Sequence, residues 1–427
     1  MTHHTPNRYR ASDAAALFEG HRLTIARHLA GWKKSQLAEA VGKSPAAVSA
    51  WELGTKRPTP QTVAQLAMVL QVSPGFFVGR KRGSELRPHF RSLRSTTQVA
   101  RDQASAYGEL ANDVAEVFET YVEFPKPAIP SCPVSEDDAG DGPEAAARFV
   151  RESWSLGLDR IKNTIRLVEN QGILVVFSPA RAAAVDAYSF AMSSRSVIIL
   201  SPLKNDYYRQ RFDVAHELGH LVMHEDSEPG SRAIEEQANR FAAEFLAPID
   251  AIQAYLPSVM SGYAWSQLGE LKEHWGISIQ ALLYRARQVG KLSASSYRNA
   301  MTTVTNRGWR RKEPGLITTL EAPSLIPRAL ELVSDEGPGE SAILQQTGIP
   351  AELFQSVTAR WPTLDDDEKS ATSEEPIHAS AVSSLLHHRT NRISSLRIRQ
   401  ADSLFLAEGL VLVSRCQGAA HIRAAPE

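Results

Sequence analysis

The chain has 427 residues, of which 43% are hydrophobic and 22% charged, and its formal net charge is -1. That composition fits two or three globular domains and excludes a disordered, collagen-like or integral membrane protein. Cys132 and Cys416 are the only cysteines, far apart and without metal-ligand spacing, which excludes a disulfide scaffold and fits a reducing compartment. The opening MTHHTPNRYR lacks the apolar core of a signal peptide, and no long apolar run follows, so a cytoplasmic location without membrane contact is expected.

The near-zero net charge hides a local imbalance. Thirteen lysines and arginines stand against four glutamates across residues 19–95, a block suited to a polyanion. Within it, the pattern over 21–77 predicts five short helices. A helix over 36–41 follows Ser35 as N-cap, Gly42 and Lys43 turn the chain, and Ser44 caps the next helix with Pro45 at its first position. Leu37, Ala38, Val41, Val48 and Trp51 would fix the angle between these two helices, leaving the start of the second to enter a major groove. The segment resembles the XRE/Cro/C1 class of helix-turn-helix domain: its pattern S-x-x-x-[VI]-S-x-[WY]-E-x-G-x-x-x-P falls on Ser44, Val48, Ser49, Trp51, Glu52, Gly54 and Pro58. The resemblance implies double-stranded operator DNA as partner, with Pro45, Ala46, Ala47, Ser49 and Ala50 as groove-facing positions and Ser44 beside them among the DNA-binding residues. These are poor in hydrogen-bonding groups, so thymine methyls and DNA shape are expected to carry more of the specificity than bidentate pairs. Lys34, Gln36, Lys56 and Arg57 suit the phosphate backbone, against the plainer reading that they form a solvated face.

An amphipathic helix is predicted over 97–121, with Ala100, Ala104, Leu110, Val114, Val117 and Phe118 as its apolar stripe. Core packing is its first use; a homodimer seam, which would suit a palindromic operator, is the second. SEDDAGDG (135–142) and DDDEKSATSEE (365–375) read as linkers. Helices are expected over 144–155 and 160–170, and short strands over 173–177, 187–190 and 196–201.

The most specific chemistry lies in RQRFDVAHELGHLVMH, residues 209–224. His216 and His220, four apart on a helix, can aim both imidazoles at one tetrahedral ion. Glu217 then stands beside the ion as a general base for a water the ion acidifies. A catalytic site needs a third ligand and an open fourth position. The helical pattern RAIEEQANRFAAEFL (232–246) offers Glu235, on one face with Asn239 and the small Ala242; Glu236 is the alternative. His224 extends the histidine face by a turn and is expected to support a ligand or cap the helix rather than bind the ion.

HELGHLVMH followed by EEQANRFAAEFLAP resembles the ImmA/IrrE-type metallopeptidases, the M78 family. Members carry HExxH with a downstream glutamate opening an ExxAN.FA stretch, which falls on Glu235, Ala238, Asn239, Phe241 and Ala242 and favours Glu235 over Glu236. FRSLR (90–94), VDAYSF (185–190), WGISIQALLYRAR (275–287) and GWRRKEPG (308–315) also resemble regions of proteins that fuse the two classes. The resemblance implies zinc, with manganese as the alternative, and a protein substrate: the chain itself, or a repressor or toxin partner.

The expected architecture is mainly α and multidomain, an all-α helix-turn-helix domain plus an α+β zincin-like metallopeptidase domain with a small sheet. Its units are a reader at 19–80, a helical connector and linker at 81–143, the peptidase at 144–290, a helical extension at 291–364 and a tail at 365–427. The expected function is a DNA-binding transcriptional regulator with a zinc-dependent endopeptidase domain. Self-cleavage is expected in the Pro-, Gly- and acid-rich stretch 124–143, on the supposition that it is exposed. The competing expectation is a non-enzymatic repressor or antitoxin with a structural or sensory zinc site. An intact Glu217 argues against it, because a purely structural site needs no base.

Overall fold

The computed structural model describes residues 9–78, 89–90, 97–138, 140–179, 187–191, 194–203, 206–224, 231–315, 319–361 and 411–412. The first of these form α1 (Ala11–Ala16), α2 (Gly20–Leu29), α3 (Lys34–Ala40), α4 (Pro45–Glu52), α5 (Pro60–Val69) and a 3₁₀ turn at Pro74–Phe77. α2 to α5 and the turn are the five short helices of the sequence pattern. Ser44 caps α4 by accepting from Ala47 N at 3.2 Å, and Pro45 occupies its first position. α3 begins earlier than expected: the Gln36 side chain accepts from Lys33 N at 2.8 Å, so Lys33 is the N-cap and Ser35 lies within the first turn.

A two-residue strand, β1 (His89–Phe90), precedes the long helix α6 (Gln98–Phe118) and β2 (Val122–Glu123). Next come α7 (Gly142–Ser153), α8 (Thr164–Asn170), and the strands β3 (Leu174–Phe177), β4 (Ala187–Phe190) and β5 (Val197–Leu200). Then follow α9 (Tyr207–Met223), α10 (Arg232–Leu246), α11 (Ile249–Ile252), α12 (Gly262–Trp275), α13 (Ile279–Gln288), α14 (Ala294–Asn306), α15 (Leu325–Glu336), α16 (Glu340–Thr347), α17 (Ala351–Thr358) and β6 (Val411–Leu412). The expected class holds: mostly helix with, among the described residues, one small four-stranded sheet and the two-stranded pair β2–β6. Among the described residues no helix is long and apolar enough to cross a membrane.

The sheet runs β1-β4-β5-β3, with β3 parallel to β5 and β4 antiparallel to both β5 and β1. β3, β4 and β5 are buried on both faces, which is why β3 and β5 read as unbroken LVVF and VIIL runs. The two faces serve different cores. Leu174, Val176, Tyr188, Phe190, Val197 and Ile199 pack with the reader, α6 and α15 to α17. Val175, Phe177, Ala187, Ile198 and Leu200 pack with α7 to α10 and the helices that follow. The period-2 alternation of a strand thus sends each successive side chain to the opposite core.

α6 is the keel of the first core. Leu110, Val114 and Phe118 are fully buried, Tyr107 Oη donates to Phe177 O at 2.8 Å, and Gly108 lets the helix meet β4, since a Cβ there would lie 2.5 Å from the Phe190 ring. The apolar stripe of α6 is therefore used within the chain at Ala104, Leu110, Val114 and Phe118, while Ala100 and Val117 are half-buried. On its other side α6 holds the reader: Asp113 pairs with Arg22, Glu109 bonds His21 at 2.7 Å, and Gln103 donates to Leu29 O at 3.0 Å. The Glu109 bond also raises the His21 pKa above the ordinary imidazole value. The expected linker 365–375 lies outside the described residues. Of the tail, Val411 and Leu412 pair antiparallel with Glu123 and Val122.

Candidate metal centre and DNA-reading face

α9 carries the HELGH segment, capped by Asp206, which accepts from Arg209 N at 2.8 Å. α10, capped by Ser231, crosses it closely because Gly219 has no side chain: a Cβ there would sit 2.9 Å from the Phe241 ring. That approach sets Glu235 against the two histidines. His216 Nε2 and His220 Nε2 lie 3.1 Å apart, and Glu235 reaches them at 3.3 and 3.6 Å through its two carboxylate oxygens. The edges of a tetrahedron around an ion with bonds of about 2.0–2.1 Å are about 3.3 Å long, so the spacing fits a single small cation. Glu236, the alternative, is not part of this group. Both histidines are buried, whereas the Glu235 side chain is 19% exposed, so the centre opens on the α10 side.

The proton positions can be worked out from a backbone carbonyl inward. Gln237 Nε2 donates to Ser135 O at 2.7 Å, which leaves Gln237 Oε1 to accept from His224 Nε2 at 2.9 Å. A neutral His224 then offers Nδ1 as acceptor, so His220 Nδ1 donates to it across 3.1 Å and His220 Nε2 is left with a lone pair toward the centre. Burial lowers the His224 pKa, which keeps that ring neutral. His216 Nδ1 likewise donates to Asn239 Oδ1 at 3.1 Å. Two imidazole lone pairs and a carboxylate converging in a buried place are the donor set of a divalent cation, and with three donors a fourth position stays open. The expected supporting role of His224 matches this geometry.

Glu217 is fully buried next to His216, and Ser189 Oγ on β4 donates to its Oε2 at 2.8 Å. Ser189 was not legible as a site residue. Its signal is a polar position in a strand whose four residues are all buried. The strand holds the carboxylate from above while α9 holds it from below.

The stretch 124–143 differs from the expected loose linker. Ala128 N, Cys132 N and Val134 N donate to Gln171 O, Val222 O and Met223 O at 3.0, 2.9 and 3.3 Å. Farther on, Gly140 O accepts from Arg240 at 2.6 Å. Many of its side chains are exposed, but its backbone is tied to the C-terminal ends of α8 and α9 and to the Arg240 side chain of α10. A strapped segment cannot enter the centre as an extended peptide without first breaking these bonds.

In the reader, Leu37, Ala38, Val41, Val48 and Trp51 are buried, as the helix-turn-helix pattern requires. Ser44, Pro45 and Ala46 are exposed at the start of α4, and Ala47, Ser49 and Ala50 are half-buried beside them. Lys34 turns inward, pairing with Glu52 at 3.1 Å and donating to Ser49 Oγ at 3.3 Å, so it braces α3 on α4. Gln36 is exposed and spends its oxygen on the Lys33 cap, and Arg57 donates to Ala16 O. Lys56 is exposed, as are Lys33 and Lys43, two cations at the helix starts that the sequence reading passed over. Arg22 and Arg27, counted in the basic block, are neutralised internally by Asp113 and Glu52.

Comparison with known families gives a match over each of these two regions. Residues 24–77 match the helix-turn-helix family model, and residues 168–287 match the M78 peptidase model described as an IrrE N-terminal-like domain. No curated protein matches the chain. The match to the helix-turn-helix model thus precedes the match to the M78 peptidase model, in the expected order.

Proposed function

We propose that this chain is a transcriptional regulator whose DNA-bound state is ended by a zinc-dependent endopeptidase within the same molecule, acting on the chain itself or on a partner protein. The observation that carries the reading is the three-donor convergence of His216, His220 and Glu235 with Glu217 beside it. Zinc, or manganese, bound there supplies Lewis-acid polarisation of a scissile carbonyl and acidifies water. Glu217 removes the proton of the attacking water and delivers it to the leaving amine, and Ser189 fixes the rotamer in which its carboxylate does so. Asn239 and His224 keep the ligand imidazoles in the tautomer that binds a cation. The reader would bind double-stranded operator DNA through the start of α4, with Lys33, Lys43 and Lys56 on phosphates.

Intact mass of purified wild type and Glu217→Ala, each with zinc or manganese and with or without single- or double-stranded DNA, tests this. Metal-dependent fragments from wild type alone are expected if the substrate is the chain itself, and they locate the bond. An uncut chain transfers the expectation to co-purifying proteins. Cleavage of neither, with zinc bound, would leave a sensory metal site.

A further inference from the structure

A second block of positive charge stands outside the reader. Residues 274–312, from the last turn of α12 through α13 and α14 to the turn beyond, contain eight lysines and arginines and no aspartate or glutamate. Arg285 is buried and paired with Glu244. The other seven cations are exposed, and among the described residues no ion pair reaches them. Two carboxylates that touch the block are committed elsewhere. Glu313 pairs with Lys272 and accepts from Ile279 N and Gln280 N at 2.8 and 3.2 Å, and Glu144 pairs with Arg240. A face that only had to stay in water would intersperse both signs, so this one suits a polyanion. The density is greatest past the end of α14, where Arg307, Arg310, Arg311 and Lys312 fall within six residues. The helix dipole accounts for cations there and not at the other end, where Lys291 stands just before the N-cap Ser293.

The aromatic rings decide which polyanion fits. Single strands are held by bases stacked on free aromatic faces. Here Trp265 and Trp309 meet edge to face at 5.4 Å and pack against the peptidase core, and the Arg307 guanidinium lies over both, 5.2 and 4.7 Å from their centroids. The rings thus fix a cation instead of offering a face to a base. Arg310 is anchored as well, its Nε donating to Thr305 Oγ1 at 2.8 Å. Cations held along a helix of 13 residues, about 20 Å, match a duplex that carries about one phosphate charge per 1.7 Å of its axis.

Resting on the reading of the chain as a DNA-bound regulator, we propose that the exposed face of α13, α14 and the 307–312 turn is a second contact for duplex DNA, gripping phosphates without reading bases. Leu282, Ala286, Ala300 and Val304 root these helices in the core that also holds α9 and α10. DNA bound here is therefore held by the body that carries the metal centre, and not through the reader.

The test uses the full chain carrying Glu217→Ala, so that nothing is cut, and a labelled duplex of arbitrary sequence. Arg310→Ala, Arg311→Ala and Lys312→Ala are combined in this parent and in a second parent that also carries Lys33→Ala, Lys43→Ala and Lys56→Ala in the reader. In each background the triple change is expected to reduce the slope of log affinity against log salt by about three, measured by anisotropy. Unchanged helix content, melting temperature and zinc affinity certify the fold. An unchanged slope in either background overturns the proposal. So does a loss confined to single-stranded DNA or to polyglutamate of the same charge, with duplex binding intact. If the triple variant unfolds, acetylation of Lys291 and Lys312 in the parent, mapped by mass, is expected to slow when duplex is added, and equal acetylation with and without duplex overturns the proposal. Because the second parent lacks the reader's phosphate contacts and no arm depends on turnover, failure here is read separately from failure of the reader or of the peptidase.

Discussion

A histidine that binds a cation through Nε2 must keep its proton on Nδ1, and at His220 that choice is enforced by a bond sequence ending on the Ser135 carbonyl. Gln237→Leu breaks the sequence at its anchor, and His224→Ala breaks it next to the ligand. Each is expected to weaken zinc binding by about 10–100-fold, measured by competition with a chromophoric chelator. Ser189→Ala should instead leave zinc affinity unchanged and lower kcat, because it acts on the base alone. Gly219→Ala forces a Cβ against Phe241 and should cost about 1–3 kcal/mol in denaturant unfolding. On DNA, Lys56→Ala is expected to reduce by about one the slope of log affinity against log salt, measured by anisotropy on any duplex. Lys34→Ala should leave that slope nearly intact and loosen the reader instead. The approach of His216 and His220 was legible because helix periodicity is local: one turn decides which side chains share a face, whereas Glu235, on another helix, was favoured over Glu236 by the family resemblance. Ser189 and Gln237 were not, because their partners lie 28 and 102 residues away and are found only once sheet and strap are folded. The pairing of Lys34 with Glu52 was hidden for the same reason, since that carboxylate sits on the next helix.

Two helices are closed by carboxylates sent from elsewhere. Glu321 accepts from Thr164 N and Ile165 N at the start of α8 at 2.7 and 2.9 Å and pairs with buried Arg211. Glu169, near the end of α8, accepts from Ser324 N and Leu325 N at the start of α15 at 2.9 and 3.0 Å. The exchange ties the extension to the peptidase through orphan amides that would otherwise be buried unpaired. Glu321→Ala leaves Arg211 buried without its partner and should cost about 3–5 kcal/mol. Burial raises the Glu169 pKa to about 7, with the bonds from Leu325 and Ser324 opposing it. The folded chain therefore holds this proton more tightly than the unfolded chain. The resulting stability is full below the ordinary carboxyl range and is lost as pH rises through about 7. Thermal unfolding should show wild type losing stability between pH 5 and pH 8, with the loss flattened in Glu169→Gln. β3, β4, β5, α6, α9 and α10 were legible from apolar period, and the cap exchange was not, since a glutamate in a helical pattern looks the same whether it faces water or another helix.

At the scale of the whole molecule, the sequence divides into segments that the packing joins. Reader, α6, one face of the sheet and the C-terminal helices share an apolar core, so DNA bound at α4 stabilises a body that includes the strands above the metal centre. Calorimetry should show the reader melting together with the sheet, and saturating duplex DNA should raise that shared transition, by about 2.7 kcal/mol at one hundred times its dissociation constant. A reader unfolding alone at lower temperature would contradict a common core. Domain boundaries were hard to read because composition reports which residues are apolar and not which apolar residues meet.

The shared core also bears on timing. A single cut among residues 79–96 would leave the reader still clasped to α6 by Arg22, His21 and buried apolar contact, as a nicked but assembled repressor. Loss of repression would then lag behind the chemistry, paced by how slowly the halves come apart, and the same enzyme turnover would give a prompt or delayed response according to temperature and salt.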